Sequence, residues 1–140
     1  LKTWPSLTMS YAASKSLVGA TMWHPFDHQR GYHPDPFWGG IMDAYRQPKF
    51  SYYLFKSLIP YEGLKNVPGV QASPFVYIAH LLTPFSPKDV TIFTNCEEVK
   101  LTMYGEEIGV KKAIDNTSPV PRVPVIFRNV FKIFQSTASN

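Results

Sequence analysis

The sequence predicts an α/β segment followed by an all-β segment, and three observations carry that division. Residues 1–60 read helix, strand, long loop, helix, the alternation of an α/β fold. Residues 61–74 are a linker rich in Pro and Gly. From residue 75 to 140 short strand-like runs recur between turn signals, the rhythm of a β-sandwich. The 140 residues suffice for one small domain or a piece of a larger protein.

The elements follow in order. In "SLTMSYAASKSLV" (6–18), Ser6 is placed to cap a helix, and Leu7, Tyr11, Ala12 and Leu17 trace an apolar stripe up to Gly19. "GATMW" (19–23) is short and apolar, a buried strand. It runs into Pro25, which lacks the N–H that a ladder needs, so the strand ends near Trp23. Residues 24–40 hold Pro25, Gly31, Pro34, Pro36, Gly39 and Gly40, which makes them a loop. "RQPKFSYYLFKSL" (46–58) then reads as a helix. Pro48 sits at its first position, and Phe50, Tyr53, Leu54 and Leu58 share one face.

Beyond the linker, "FVYIAHLL", "DVTIFTN", "EVKLTMYG", "EEIGVKK" and "VIFRNVFKIF" are the predicted strands. In the third, Val99, Leu101 and Met103 alternate with Lys100 and Thr102, which is period two. Turns are expected at 84–88, 95–97 and Gly105. Five strands are fewer than the seven of a complete immunoglobulin-like sandwich, so a truncated one is expected.

Composition narrows the function. A 44% hydrophobic content supports a packed core, while 13 Pro and 17% charged residues indicate many turns. The net charge of +4 is scattered without a basic run, which argues against a nucleic-acid partner. A lone Cys96 excludes an internal disulfide and a multi-Cys zinc site, and a packed thiol is expected there. No apolar run is long enough to span a bilayer and no signal peptide is visible. Leu1 opens on what reads as the middle of a fold, so a fragment is expected.

Chemistry concentrates in "ATMWHPFDHQRGYHPDPFWGG" (20–40), with two of the three Trp and three of the four His. Trp23 stands at a strand end, where α/β folds open into ligand loops. Its indole face suits the apolar face of a sugar ring, and His24, Asp27 and Arg30 suit the hydroxyls. The competing account is a Pro-rich loop whose aromatics only pack. A metal site from His24, His28, His33 and Asp27 is disfavoured: the i, i+4 spacing of His24 and His28 helps only on a helix, which Pro25 and Gly31 oppose. No cofactor is implied. Of the carboxylates, Asp27, Asp35 and Asp43 crowd one short segment, and the five Glu lie in the linker and strands. A pair facing each other across a scissile bond is therefore not apparent. No Gly-x-Ser-x-Gly elbow is present. His80 lies in an apolar strand pattern and reads as a packed histidine.

Three motifs in register carry a resemblance. Gly19, Trp23 and Asp27, then Gly40, Ile41, Pro48 and Lys49, then "TNCEEVKL" with Gly105 resemble the C-terminal part of glycoside hydrolase family two, the β-galactosidase and β-glucuronidase family. The resemblance spans residues 1–112. It implies that residues 1–60 hold the last helix, strand and helix of a (β/α)8 barrel, and that residues 75–140 are an immunoglobulin-like sandwich. It also implies a parent enzyme that cleaves β-galactosides with retention, through two Glu on earlier barrel strands that this chain lacks. The fragment alone is then inactive. Trp23 would wall the sugar, with His24 and Asp27 beside it. The family's glucuronidases carry an Asn-x-Lys in this loop. Residues 24–40 contain no Lys; Arg30 could substitute for that cation, but the absence of Lys favours a neutral galactoside. The resemblance further implies a periplasmic or secreted bacterial setting. The alternative is a non-catalytic carbohydrate-binding or structural module. One helix–strand–helix unit cannot close a barrel and would leave bare strand edges, so the isolated chain is expected to self-associate or to pack residues 1–60 on the sandwich.

Overall fold

The computed structural model describes residues 14, 16, 23–62, 66–69, 73–114 and 122–131. The helix expected at 6–18 and the strand expected at 19–23 lie almost wholly outside the described residues, so of the barrel segment expected at 1–60 only the part from residue 23 on is described in full. The described chain has one helix, α1 (Phe50–Ser57), and five strands: β1 (Val76–Ile78), β2 (Val90–Thr94), β3 (Glu98–Met103), β4 (Glu106–Lys112) and β5 (Val125–Phe127).

Helix α1 starts two residues after Pro48. The proline forms an antiparallel bridge with Met42, so its backbone belongs to the loop rather than to the first turn. Lys49 then takes an extended conformation (φ −87°, ψ 173°) and the helix follows it. At the other end, the Ser57 hydroxyl donates to the Leu54 carbonyl at 2.6 Å.

The strands form two antiparallel layers, β1–β2–β5 and the hairpin β3–β4. Tyr77 pairs with Phe93 and Ile78 with Ile92 across the first pair, and Ile92 with Val125 across the second. Each face of this sheet has its own cover. Phe93 and Ala79 meet Leu54 of α1, with Phe50, Tyr53 and Tyr77 packed alongside. The Tyr53 and Tyr77 rings stack with centroids 3.6 Å apart. Burial first, then the Tyr53 phenol, holds the Tyr77 hydroxyl above its ordinary pKa. The opposite face carries Val90, Ile92, Val125 and Phe127 against Val99 of the hairpin, with Leu101, Met103 and Ile108. Period two in β2 thus feeds two cores at once.

The hairpin turns on Tyr104 (φ 53°) and Gly105 (φ 86°), a two-residue loop with both φ positive, which matches the twist of the flanking strands. A bulge opposite Leu101 and Thr102 places an extra residue in β4.

Two strands are shorter than the sequence suggests. The run expected at 75–82 ends at Ile78 because His80 folds the chain back: its ring nitrogens bond the Pro87 carbonyl at 2.7 Å and the Leu82 N–H at 2.9 Å. The run expected at 125–134 ends at Phe127. There Asp89 accepts from the Asn129 N–H at 2.8 Å and from Arg128 at 2.6 Å, and Asn129 adopts φ 54°. Both hydrogen bonds, the Asn129 N–H first, hold the Asp89 carboxyl below its ordinary pKa.

Helix and sandwich are joined at Asn95, which is buried. Its side-chain oxygen accepts from the Phe75 N–H at 2.7 Å. Its amide donates to the carbonyls of Ser73 at 2.9 Å and Ile59 at 3.2 Å. The end of α1, the start of β1 and the end of β2 thereby share one side chain.

Candidate functional site

Residues 23–49 form the loop that the sequence marks as chemically rich. Isolated bridges hold it together in place of a regular ladder: Phe26 with Met42, His28 with Phe37, and Met42 with Pro48. The His28–Phe37 pair exchanges both backbone bonds, at 2.9 and 3.2 Å. Residues 29–36 are therefore a closed excursion.

At its base lies an ion pair. The Asp27 side chain is 3% exposed and that of Lys49 is 32% exposed. The ammonium of Lys49 bonds both carboxylate oxygens at 2.6 Å and the Trp38 carbonyl at 2.9 Å. Asp27 also accepts the Gly40 N–H at 2.9 Å. Gly40 has no room for a side chain: an added Cβ would lie 2.4 Å from the Asp27 nitrogen and the Phe26 carbonyl carbon. Asp27, Gly40 and Lys49 thus form one clamp across the neck of the loop. A second brace is Asp43, whose Oδ1 accepts the Tyr45 and Gln47 N–H groups at 2.8 Å.

Above the clamp sits a ring cluster. His24 meets Trp23 edge-on at 4.4 Å between centroids, His28 at 4.7 Å and Phe37 at 5.4 Å. Trp23 itself is 78% exposed, and the peptide bond joining it to His24 is cis. Trp38, Tyr32 and Tyr45 are also exposed. The structure therefore presents the Trp23 indole to solvent, backed on one edge by the His24 imidazole, which in turn meets two further rings.

The four residues singled out from the sequence take different places. Trp23 is at the surface and His24 is half-buried beside it. Asp27 turns inward to Lys49 and Gly40, so its oxygens face the protein. Arg30 is at the far end of the excursion, where its Nε donates to the Asp35 carbonyl at 3.2 Å and a terminal nitrogen lies 3.5 Å from His33 Nδ1. Among the described residues no three His, Cys, Asp or Glu side chains converge on a common point where a metal ion would sit. Sequence reasoning missed Lys49 and Gly40 as partners of Asp27, although both stand in the motif that carries the resemblance.

No protein-family model matches the chain. Two proteins named as glycosidases are similar in sequence. A β-galactosidase of Thermoanaerobacter pseudethanolicus is 28% identical over 117 residues, which is 78% of this chain and 14% of that protein. A putative β-glucuronidase of Formosa agariphila is 35% identical over 79 residues, 52% of this chain and 8% of that protein. Among solved structures, the apo form of Bacteroides uniformis β-glucuronidase 3 matches with a TM-score of 0.56 at 25% identity, covering 87% of this chain and 16% of that one. Fold and sequence thus relate the chain to glycoside hydrolases. In particular it is similar to proteins named β-galactosidase and β-glucuronidase, at low identity and over less than a fifth of their length.

Proposed function

We propose that this chain is part of a retaining glycoside hydrolase that cleaves β-galactosides, and that it supplies one wall of the sugar site together with an accessory β-sandwich. The observation that carries this is the exposed Trp23 indole, backed by the His24 ring. An exposed indole face stacks on a pyranose, and a neighbouring ring that limits its motion lowers the conformational entropy lost on binding. His24 is the group beside it with a donor for hydroxyls, and Arg30 offers further donors from the far end of the excursion. Asp27 acts through the loop, as a positioning residue. The bond-breaking pair, one Glu attacking the anomeric carbon and another first protonating the leaving oxygen and then activating water, belongs to other parts of the enzyme.

A neutral sugar is favoured by charge. The cations of residues 23–49 are Arg30, Arg46 and Lys49. Arg30 bonds the loop backbone, Arg46 lies 3.8 Å over the Phe26 ring, and Lys49 is held by Asp27. None stands idle to receive a sugar carboxylate. The names of two of the similar proteins favour a β-glucuronide instead, so the assay uses both substrates.

Full-length enzyme should hydrolyse nitrophenyl β-galactoside faster than nitrophenyl β-glucuronide. Trp23→Ala should lose about 1–3 kcal/mol of transition-state binding, roughly 5- to 150-fold in kcat/KM. An unchanged kcat/KM would leave Trp23 as an ordinary surface aromatic. Turnover by the 140-residue chain alone, abolished by Asp27→Asn, would overturn the placement of the catalytic carboxylates.

A further inference from the structure

A short column of rings leads from the clamp to the exposed indole. The clamp pins both chain neighbours of Gly39: Lys49 donates to the Trp38 carbonyl at 2.9 Å, and Asp27 accepts the Gly40 N–H at 2.9 Å. The Phe37 ring lies on Gly39, where an added Cβ would come within 2.4 Å of its Cζ. Phe37 in turn meets two imidazoles, His28 at 5.2 Å and His24 at 5.4 Å between centroids. The two imidazoles meet each other at 4.7 Å with planes 65° apart, and His24 meets the Trp23 indole at 4.4 Å. His28 is anchored twice. Its backbone exchanges both bonds with Phe37, at 2.9 and 3.2 Å. Its Nδ1 lies 3.3 Å from the Phe26 carbonyl oxygen; a carbonyl only accepts, so this nitrogen carries the proton and donates. Among the described residues neither the His24 imidazole nor the Trp23 indole has a hydrogen bond of its own.

We propose that His28 is a positioning residue of the sugar wall: its ring, locked on the Phe26 carbonyl, sets the orientation of the His24 imidazole and, through it, of the Trp23 indole. The inference rests on the sugar site proposed above. There His24 supplies the donor for a hydroxyl and Trp23 the stacking face, and both must point the right way before the sugar arrives. Edge-on ring contacts favour particular angles, so His24 takes its orientation from the rings it meets. Of the two beneath it, Phe37 has only packing to hold its plane. His28 adds a directional hydrogen bond, and that bond defines the tilt of its ring. Ordering His24 and Trp23 in the free protein lowers the side-chain entropy lost when sugar binds. His28 itself acts through His24 and needs no contact with the sugar.

The test uses full-length enzyme labelled with 5-fluorotryptophan, its Trp23 fluorine line assigned by the loss of that line in Trp23→Phe. His28→Ala should move the line toward the position of free 5-fluorotryptophan and lower kcat/KM for nitrophenyl β-galactoside about two- to tenfold. His28→Phe keeps a ring against His24 and should bring both readouts back close to wild type. His28→Asn keeps a donor for the Phe26 carbonyl without the ring and should behave as His28→Ala. These two variants carry the comparison by themselves if His28→Ala does not fold. In a His24→Ala background, His28→Ala should leave the Trp23 line where it is, because the link is already cut. A Trp23 line that ignores the loss of the His28 ring would overturn the proposal, and galactoside cleavage by that enzyme would leave the proposed function standing. Rescue by Asn with none by Phe would also overturn it, making His28 a brace for the Phe26 backbone. A line that moves as expected, in an enzyme that cleaves neither the galactoside nor the glucuronide, would refute the sugar site and keep only the ring placement.

Discussion

Lys49→Met tests the clamp that holds the candidate site. The ammonium contacts both oxygens of Asp27 at 2.6 Å. Without it the carboxylate, 3% exposed, keeps the Gly40 N–H at 2.9 Å and little water. Removing one partner of a fully buried pair costs about 3–5 kcal/mol. Because the Lys49 side chain is 32% exposed, water replaces part of what it supplied, and about 2–3 kcal/mol is expected. Asp27→Asn keeps an acceptor for Gly40 and gives Lys49 a neutral partner, so about 1–2 kcal/mol is expected. The double variant should fall short of the sum by about 1 kcal/mol or more. Urea denaturation of the 140-residue chain, followed by tryptophan fluorescence and by far-ultraviolet circular dichroism, measures all three. Fluorescence should shift to lower urea than dichroism in Lys49→Met, since the loop opens ahead of the sandwich. A loss under about 0.5 kcal/mol for Lys49→Met, with additive behaviour in the double variant, would mean that backbone bridges alone shape the loop.

Three other outcomes are expected. Gly40→Ala forces a methyl into backbone 2.4 Å away; it should destabilise by about 1–3 kcal/mol or more, and a thermal melt equal to wild type would refute the close approach. Asn95→Ala removes bonds to Phe75, Ser73 and Ile59 from a buried position. It should lower stability by about 2–3 kcal/mol, with faster exchange at the Phe75 amide; unaltered exchange there would place the joint elsewhere. Asp89 has a lowered pKa in the folded chain. Its contribution is therefore full above the unfolded carboxyl value near 4 and disappears as pH falls through the folded value. Asp89→Asn should flatten the loss of stability below about pH 4, and an acid limb identical to wild type would exclude Asp89 from it.

The sequence was legible where partners are neighbours. Helix α1 follows from Phe50, Tyr53 and Leu54 at helical spacing. The hairpin β3–β4 follows from the alternation of Val99, Leu101 and Met103 around Gly105. The aromatic loop was also visible, since Pro and Gly punctuation needs no tertiary information, and so was the likeness to glycosidases. Strand lengths were less legible. Nothing local to residues 79–82 announces that the His80 ring will bond the Pro87 carbonyl, so an apolar run read as one long strand.

By itself the sequence determined the place of helix α1, of the five described strands and of the aromatic loop, because φ/ψ preference and side-chain periodicity act over a few residues. Only the tertiary structure decided that Asp27 faces Lys49, 22 positions away, and that Asn95 joins Ile59, 36 positions away. The direction of a polar side chain depends on which charge or carbonyl the folded chain brings within about 3 Å of it. That distance exists only after the layers have packed.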